Sequence, residues 1–281
     1  PYYSVKAISC FFSYRRVRTI YASGRQASFV GMLVGKCFNI PSRIFTRHHG
    51  SILHEQRRFF NLAIDFATNL FSNHIIAVSR CSEKFLLERE LFTKDKVSVI
   101  YNGIKLDDFK KVSDSRELKY KERSQRFLGF GEIRIGVLAR TDSWKNIDQV
   151  ILAFHSTLSA IPNMHLFVAG APGESDYQID SLLEGLPRKS YTRLKTYVDP
   201  LHFFVDLDVF IHVPRGECTE SFGLVYVEAI SSGLKCIFSR NGIMKEYTLD
   251  DPSVIMIEHN SHLDITHGLL QLCNPSTLSL S

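Results

Sequence analysis

Short β-rich runs alternate with helical patterns along the chain, and this alternation restricts the possible folds more than any other feature. Four candidate strands precede residue 110, at 18–22, 43–47, 74–79 and 97–101. Six more follow, at 133–139, 165–169, 193–198, 209–213, 235–239 and 254–257. Strands that alternate with helices form βαβ units, in which neighbouring strands run parallel. The pattern therefore predicts an α/β protein built on parallel sheets.

A polar stretch divides the two series of strands. Between Lys110 and Arg126 there are seven Lys or Arg residues and three acids, with almost no apolar periodicity. Such a stretch is typical of a linker, and 281 residues are enough for two modest domains. We predict an N-terminal Rossmann-like domain over 1–112, a polar linker over 113–131 and a C-terminal Rossmann-like domain over 132–281. Ligands are expected in a cleft between them, at the carboxyl ends of the strands.

The cysteines and the apolar segments indicate a cytoplasmic protein. Six cysteines are scattered without a Cys-x-x-Cys pair, so we expect reduced thiols and neither a disulfide framework nor a zinc site. The most apolar stretch, 59–79, makes a poor membrane span because three asparagines, an aspartate and a histidine interrupt it. These are Asn61, Asp65, Asn69, Asn73 and His74. No signal peptide is visible.

Positive charge is concentrated at the start of the chain. Residues 1–60 hold ten Lys or Arg residues and a single acid, a net charge of +9, whereas the remainder carries −4. A basic segment can rest on an anionic membrane at the inner face, with about 1 kcal/mol contributed by each nearby cation. The alternative is a set of solvated faces. No nucleic-acid recognition motif with interleaved aromatic residues is present, so nucleic acid is not expected as a partner.

Residues 220–228 place two carboxylates on either side of an apolar run that begins at a glycine. Gly223 lets the backbone approach a ligand closely, and a helix that begins there directs N–H groups toward anions. Glu228 falls in the first two turns of that helix, near the side on which Glu220 lies. Carboxylates suit the hydroxyl groups of a sugar nucleotide, and the helix end suits its phosphates. Alternatively, both are ordinary surface acids.

A second candidate site follows the predicted strand at 133–139. Arg140 and Lys145 lie on the loop between this strand and the next helix. They suit a pyrophosphate, because arginine offers a bidentate fork and lysine a mobile point charge. The alternative is two surface cations on a βα loop.

Two weaker candidates come from other strand ends. His48 and His49 follow the strand at 43–47, where a pair of histidines suits either a metal or a donor sugar. No Glu-x-x-His or spaced histidine pair supports the metal, so we favour hydrogen bonding to a sugar. Gly170, in a strand-end turn, is placed to contact a nucleotide base. The chain lacks a Gly-x-x-x-x-Gly-Lys-Ser/Thr loop and a Gly-x-Ser-x-Gly elbow, so neither a P-loop ATPase nor an α/β-hydrolase is expected.

From about Ile20 onward the sequence resembles the retaining GT-B glycosyltransferases of family 4. The strongest resemblance is the acid pair Glu220 and Glu228, followed by Arg140 with Lys145. Three further segments match in the right order: Thr46-Arg47-His48, Ile76-Ala77-Val78-Ser79 and Val99-Ile100-Tyr101-Asn102-Gly103-Ile104. The resemblance implies a GT-B fold, with two Rossmann-like parallel-sheet domains that face a cleft.

The resemblance also implies roles for the candidate residues. The catalytic set is His48, Arg140, Lys145 and Glu220. Arg140 and Lys145 would hold the donor diphosphate, while Glu220 and His48 would contact the donor sugar. The backbone N–H groups of Phe222, Gly223 and Leu224 would meet the phosphates, Glu228 would bind the ribose, and Gly170 would lie near the base. No metal and no separate cofactor are expected, because the two cations and the helix end supply the positive field.

The resemblance is incomplete at both ends of the chain. The glycine-rich loop that usually shapes the acceptor site is not found before Arg18, and the usual last helix is not found after Leu272. We therefore expect an N-terminally truncated chain with a partial first domain. The predicted function is transfer of a sugar from a nucleotide-sugar donor to a glycan or lipid-linked acceptor, in surface polysaccharide or glycolipid synthesis. The alternatives are an inactive GT-B-like binding or scaffold protein and a sugar-nucleotide epimerase.

Overall fold

The computed structural model describes residues 17–48, 58–89, 94–126, 133–216, 218–247, 250–258 and 261–273. The chain divides into two compact units. The first contains the residues up to Asn102 together with residues 217–222, and the second contains Gly103–Gly216 and the residues from Gly223 onward. No helix within the described ranges combines the length and the apolarity needed to cross a membrane.

The first unit is built on a parallel four-stranded sheet in the order β1-β2-β3-β4. Its strands are β1 (Thr19–Ser23), β2 (Ser42–Arg47), β3 (His74–Ala77) and β4 (Val97–Val99). Its described helices are α1 (Arg25–Cys37), α2 (Arg58–Phe71) and α3 (Arg80–Arg89). Met32 of α1 and Leu86 of α3 pack with Phe45 and Ile75 of the central strands in one apolar core. The burial of these side chains supplies the main driving force for folding of the unit.

A buried charge cluster fixes the carboxyl end of β2. Asp65 on α2 accepts a hydrogen bond from Arg25 at 3.1 Å and pairs with Arg47 at 3.4 Å. Both Arg47 and Asp65 are almost wholly buried. Because removal of one partner would leave a buried charge without compensation, this cluster strongly restricts the local geometry. It thereby sets where the chain leaves the sheet at His48.

The second unit contains a parallel six-stranded sheet. Its strands are β5 (Ile133–Leu138), β6 (Met164–Ala169), β7 (Tyr191–Leu194), β8 (Val209–His212), β9 (Lys235–Ser239) and β10 (Val254–Ile257). Its helices are α4 (Leu106–Arg126), α5 (Ile147–Thr157), α6 (Asp176–Glu184), α7 (Pro200–Phe204), α8 (Leu224–Ser231) and α9 (His262–Leu272). The consecutive residues Val209, Phe210 and Ile211 are all fully buried, as expected for a parallel strand covered on both faces.

The strand order of this sheet creates a topological switch point. The order is β10-β9-β8-β5-β6-β7, so the chain winds outward from β5 in one direction and from β8 in the other. Strands β5 and β8 are direct parallel neighbours. The loops that follow them therefore emerge side by side at the carboxyl edge. Open α/β sheets bind ligands at such a point.

The predicted fold class is confirmed, since each of the ten predicted strands overlaps an observed parallel strand. The largest shift is at β7, where the prediction was 193–198 and the strand is Tyr191–Leu194. Beyond it the chain turns toward Asp199, whose side chain accepts a hydrogen bond from the Leu201 N–H and so caps α7. The strand thus ends at Leu194, and the capped helix begins only at Pro200.

The stretch predicted as a polar linker over 113–131 differs from that expectation, because residues up to Arg126 belong to the helix α4. Only two apolar side chains near its start, Phe109 and Val112, are buried. Arg116 adds hydrogen bonds to the carbonyl oxygens of Leu207, Ser232 and Gly233. The helix is anchored to the second unit by this arginine and by a short apolar patch, which explains its weak periodicity.

Candidate functional site

The two predicted cations lie on the loop between β5 and α5. The Arg140 side chain is 65% exposed, and its guanidinium lies 3.2 Å from the Asp142 carboxylate. Lys145 ends a 3-10 turn at Ser143–Lys145, and its ammonium lies 4.0 Å from the centroid of the Trp144 ring. This cation–π contact restrains an otherwise flexible side chain. Both cations thus follow the central strand of the unit.

The helix α8 begins on the neighbouring loop, after β8. Gly223 precedes it with a φ of 79°, a left-handed conformation that suits glycine. Because glycine has no side chain, Gly223 itself does not cap the helix, whose first N–H groups have no carbonyl four residues earlier in the helix. Leu224 is the first helical residue and is exposed. The start of α8 can therefore accept an anion.

Glu228 lies in the second turn of α8 and is partly buried. Burial raises the pKa of its carboxyl group, and the nearby negative charge of Asp199 raises it further. A carboxylate that is partly shielded from water forms stronger hydrogen bonds to a ligand than an exposed one. Glu228 is therefore better suited to bind hydroxyl groups than the ordinary helix acid considered as its alternative.

Glu220 and His48 both belong to the first unit. The residue after Glu220, Ser221, donates its hydroxyl proton to the His48 carbonyl oxygen at 2.6 Å. The Ser79 hydroxyl in turn donates to the Ser221 carbonyl oxygen. The His48 imidazole is exposed but crowded by neighbouring atoms, and this partial desolvation lowers its pKa. The loop that carries Glu220 is thus hydrogen-bonded, through Ser221, to the end of the segment that carries His48, while His49 lies outside the described residues.

Phe222 is buried in the same loop and does not face solvent. Its ring packs against Tyr101, with the centroids 6.4 Å apart. Gly223, the next residue, belongs to the second unit. Within the described ranges, no group of three or more His, Cys, Asp and Glu side chains is arranged to hold a metal ion.

A disulfide between Cys81 and Cys218 corrects the prediction of six reduced thiols. The two residues are 137 positions apart in the sequence, and their Cα atoms lie 6.1 Å apart. Spacing along the chain carried no signal for this pair, because the fold alone brings α3 and the Glu220 loop together. Cys37, Cys236 and Cys273 are free thiols. Burial raises the pKa of the Cys273 thiol to about 12, so it is chemically inert at neutral pH.

We expect Cys218→Ser to lower the free energy of unfolding by about 2–4 kcal/mol, because the cross-link restricts a long loop of the unfolded chain. Urea denaturation followed by circular dichroism measures this change. Cys37→Ser, which removes an exposed free thiol, serves as the control. The assignment would be contradicted if the parent protein, Cys218→Ser and Cys37→Ser had equal urea midpoints and if Cys81 of the parent protein could be alkylated before reduction.

The position of Gly170 requires a glycine for steric reasons, which was not predicted from the sequence. It follows β6 with a φ of 136°, and a Cβ atom there would lie 2.0 Å from the carbonyl oxygen of Ala139. The ends of β5 and β6 can approach each other only because this residue lacks a side chain. Its predicted contact with a nucleotide base remains a separate prediction.

Replacement of Gly170 by alanine is expected to destabilise the protein by about 3 kcal/mol or more, since it combines backbone strain with a clash against main-chain atoms. Thermal or urea unfolding gives the measurement. Gly103→Ala is the matched control, because a Cβ atom at Gly103 meets nothing within 4 Å. If both variants unfolded like the parent protein, the close approach at Gly170 would be refuted.

Two charged residues near this site were not predicted from the sequence. Arg215 follows β8, and its backbone N–H donates to the Trp144 carbonyl oxygen at 2.8 Å. Asp199 lies close enough to Glu228 to influence its pKa. Arg215 could have been found from its position after a buried strand. Asp199 had no such signal, because it becomes relevant only through the packing of α7 beside α8.

Comparison with known proteins places this arrangement in a family. The model of the family "Glycosyl transferases group 1" matches residues 120–277. An uncharacterised glycosyltransferase of Methanocaldococcus jannaschii, MJ1178, is 27% identical over 257 residues, which cover 89% of this chain and 63% of that protein. The α-monoglucosyldiacylglycerol synthase of Acholeplasma laidlawii is 24% identical over 184 residues, covering 64% and 45% of the two chains. The chain spans less than two thirds of the length of these relatives.

Two solved structures illustrate the likeness in fold. Anabaena Alr3699/HepE in complex with UDP-glucose superposes with a TM-score of 0.80 at 18% identity, covering 97% of this chain and 72% of that one. Sucrose-phosphate synthase from Thermosynechococcus elongatus gives a TM-score of 0.75 at 18% identity, with coverages of 97% and 69%. At this identity the likeness concerns the fold. The family model and the two parallel-sheet units together show that the chain belongs to the group 1 glycosyltransferases and has the GT-B fold.

Proposed function

We propose that this chain is a retaining glycosyltransferase of family 4 that moves a hexosyl group from a nucleotide-sugar donor to a glycan or lipid-linked acceptor. One observation carries the proposal: two cations and an uncapped helix start follow the adjacent strands β5 and β8 at the switch point of the six-stranded sheet. A diphosphate needs this combination of positive groups. We assign donor binding chiefly to the second unit and acceptor binding to the first.

The proposed diphosphate subsite uses three kinds of positive group. Arg140 supplies a planar fork and Lys145 a point charge, and the start of α8 supplies N–H groups. These groups also stabilise the negative charge that builds up on the leaving nucleoside diphosphate as the glycosidic bond breaks. Because they perform the electrostatic work that a divalent cation does elsewhere, we propose transfer without a metal or a separate cofactor.

The proposed sugar and ribose contacts rest on carboxylates. Glu228 accepts hydrogen bonds from the two ribose hydroxyl groups, and Glu220 accepts them from hydroxyl groups of the donor sugar. His48 is exposed and has a lowered pKa, so at neutral pH its neutral ring can donate and accept one hydrogen bond each. We propose that it orients the donor sugar. The turn at Gly170 is proposed to border the base.

The relatives suggest which probes to use first. Anabaena Alr3699/HepE was crystallised with UDP-glucose, and the Acholeplasma relative is a monoglucosyldiacylglycerol synthase, named for a glycolipid product. UDP-glucose is therefore the first donor to test, and a diacylglycerol lipid is the first acceptor. The charge of +9 on residues 1–60 supports contact with an anionic membrane surface. Surface polysaccharide or glycolipid synthesis is the process we propose.

The test incubates the protein with UDP-, GDP- and ADP-hexoses and with diacylglycerol or oligosaccharide acceptors, and follows the anomeric protons by NMR. We expect one donor to be consumed, with a product whose anomeric configuration matches the donor. An altered donor formed without an acceptor would indicate an epimerase. Nucleotide binding without any turnover would indicate a binding or scaffold protein. Inversion of configuration would refute retention.

A further inference from the structure

We propose that Arg215 is a positioning residue that holds Lys145 in place for the donor diphosphate. This inference rests on the proposed function, since it concerns the same subsite. Arg215 lies on the loop after β8, whereas Lys145 lies on the loop after the neighbouring strand β5. Arg215 therefore links the two loops that meet at the switch point.

Arg215 makes three contacts with residues close to Lys145 in the sequence. Its backbone N–H donates to the Trp144 carbonyl oxygen at 2.8 Å, on one side of the lysine. Its Nε atom donates to the Asn146 Oδ1 atom at 2.5 Å, on the other side. Its terminal nitrogen pairs with the carboxylate of Asp148 in the first turn of α5. Arg215 thus forms hydrogen bonds to the residues immediately before and after Lys145.

The turn needs such support because of its backbone conformation. Asn146 is fully buried and has a φ of 62°, in the left-handed region, which asparagine adopts more readily than most residues but still at an energetic cost. Its side-chain oxygen accepts the Arg215 hydrogen bond. This bond holds the residue in the conformation that directs the chain from the 3-10 turn into α5, with Lys145 immediately before it.

The charges on Arg215 favour positioning over direct binding of phosphate. Its Nε atom and one terminal nitrogen are already engaged by Asn146 and Asp148. The paired Asp148 carboxylate offsets the positive charge that an incoming phosphate would meet. The Lys145 ammonium lies over the face of the Trp144 ring, on the loop that follows β5. Arg215 therefore acts through the turn, and Lys145 meets the ligand.

The chain offers a direct reporter, because Trp144 is its single tryptophan. We would measure Trp144 emission, and the binding of UDP and of uridine by calorimetry, for the parent protein, Arg215→Met, Lys145→Met and the double variant. We expect Arg215→Met to shift the emission and to weaken UDP binding about 10-fold, with uridine binding changed less than about 2-fold. In the Lys145→Met background the further loss of UDP affinity should also stay below about 2-fold.

Arg240→Met is the matched control, because Arg240 also follows a strand at the carboxyl edge and pairs with a carboxylate, that of Glu258. We expect it to change neither emission nor UDP affinity. Arg215→Lys keeps the charge but lacks the planar guanidinium, which contacts Asn146 and Asp148 at the same time. If both contacts are needed to hold Lys145, Arg215→Lys should resemble Arg215→Met in emission and in UDP affinity. It also replaces the methionine variant should that variant fold poorly.

Each other outcome overturns the inference in a recognisable way. If Arg215→Met weakened the binding of UDP and of uridine equally, Arg215 would have a general structural role. If Arg215→Met weakened UDP binding by the same factor with Lys145 present and in the Lys145→Met protein, Arg215 would contact the phosphate directly. Unchanged emission and affinity would mean no role at all. If the parent protein binds none of UDP, GDP and ADP, the proposed function fails instead. The Trp144 emission would still show whether Arg215 holds the turn.

Discussion

Replacement of Lys145 by methionine is expected to weaken UDP binding by about 10- to 150-fold, because a hydrogen bond to a charged group contributes about 1.5–3 kcal/mol. The side chain is held at the carboxyl end of β5 by its contact with Trp144, and methionine keeps its length while removing its charge. The rate of transfer should fall further than the affinity, because negative charge on the leaving diphosphate increases in the transition state. Calorimetry measures the first effect and single-turnover kinetics the second.

Two variants make this experiment specific. Lys189→Met removes an exposed lysine elsewhere in the same unit and should leave both values unchanged. Lys145→Arg keeps the charge and should retain part of the affinity. UDP binding that is equal in the parent protein and Lys145→Met would remove the diphosphate assignment, and with it the role proposed for Arg140 on the same loop.

Glu228→Gln is expected to weaken UDP binding about 10-fold while leaving the protein as stable as the parent or slightly more stable. The glutamine retains the shape of the side chain but replaces charge-assisted hydrogen bonds to the ribose with neutral ones. The folded protein also loses an unfavourable charge, because burial and the neighbouring Asp199 disfavour the carboxylate. Calorimetry with UDP and urea denaturation measure the two effects on the same samples.

The pH dependence of Glu228 follows from its raised pKa. The folded state keeps this proton to a higher pH than the unfolded chain, in which the glutamate pKa is near 4.5. The contribution of Glu228 to stability is therefore present below that value and is lost as pH rises through the folded pKa. The stability advantage of Glu228→Gln should grow over the same interval. Glu184→Gln, at an exposed position on α6, should show no such trend.

Binding should respond to pH in the opposite direction. The ribose hydroxyl groups need the ionised carboxylate as an acceptor, so the affinity ratio of the parent protein to Glu228→Gln should fall as the pH is lowered through the folded pKa. Taking the ratio cancels the titration of the UDP phosphate. A ratio that stays constant from about pH 5 to about pH 8 would show that the charge on Glu228 does not take part in binding.

The fold was largely predictable because it depends on local pattern. Apolar runs such as Val209–Ile211 indicate buried parallel strands. The helical stretches between such runs provide the crossover connections that parallel strands need. The order of the strands was not predictable in this way. That β5 lies beside β8 depends on long-range packing. The helix α4 was missed because Arg116 anchors it through carbonyl contacts, which leave no apolar periodicity.

The candidate site was partly predictable for the same reason. Arg140 and Lys145 could be found because a charged residue after a buried strand emerges at the ligand-binding edge. Arg215 satisfies the same rule and was overlooked, since its importance lies in its contacts with Asn146 and Asp148. The disulfide between Cys81 and Cys218 had no local signal at all. Contacts between distant segments are the part of the site that the sequence pattern does not encode.

A crystal structure of the protein soaked with UDP tests the central claim most directly. The predicted result is a nucleotide at the carboxyl edge of the six-stranded sheet. Its diphosphate should lie within hydrogen-bonding distance of the Lys145 ammonium and the first N–H groups of α8, and its ribose should contact Glu228. Ordered UDP at any other place, or an empty switch point between β5 and β8 with UDP, GDP and ADP each at saturation, would contradict the assignment of this edge as the donor site.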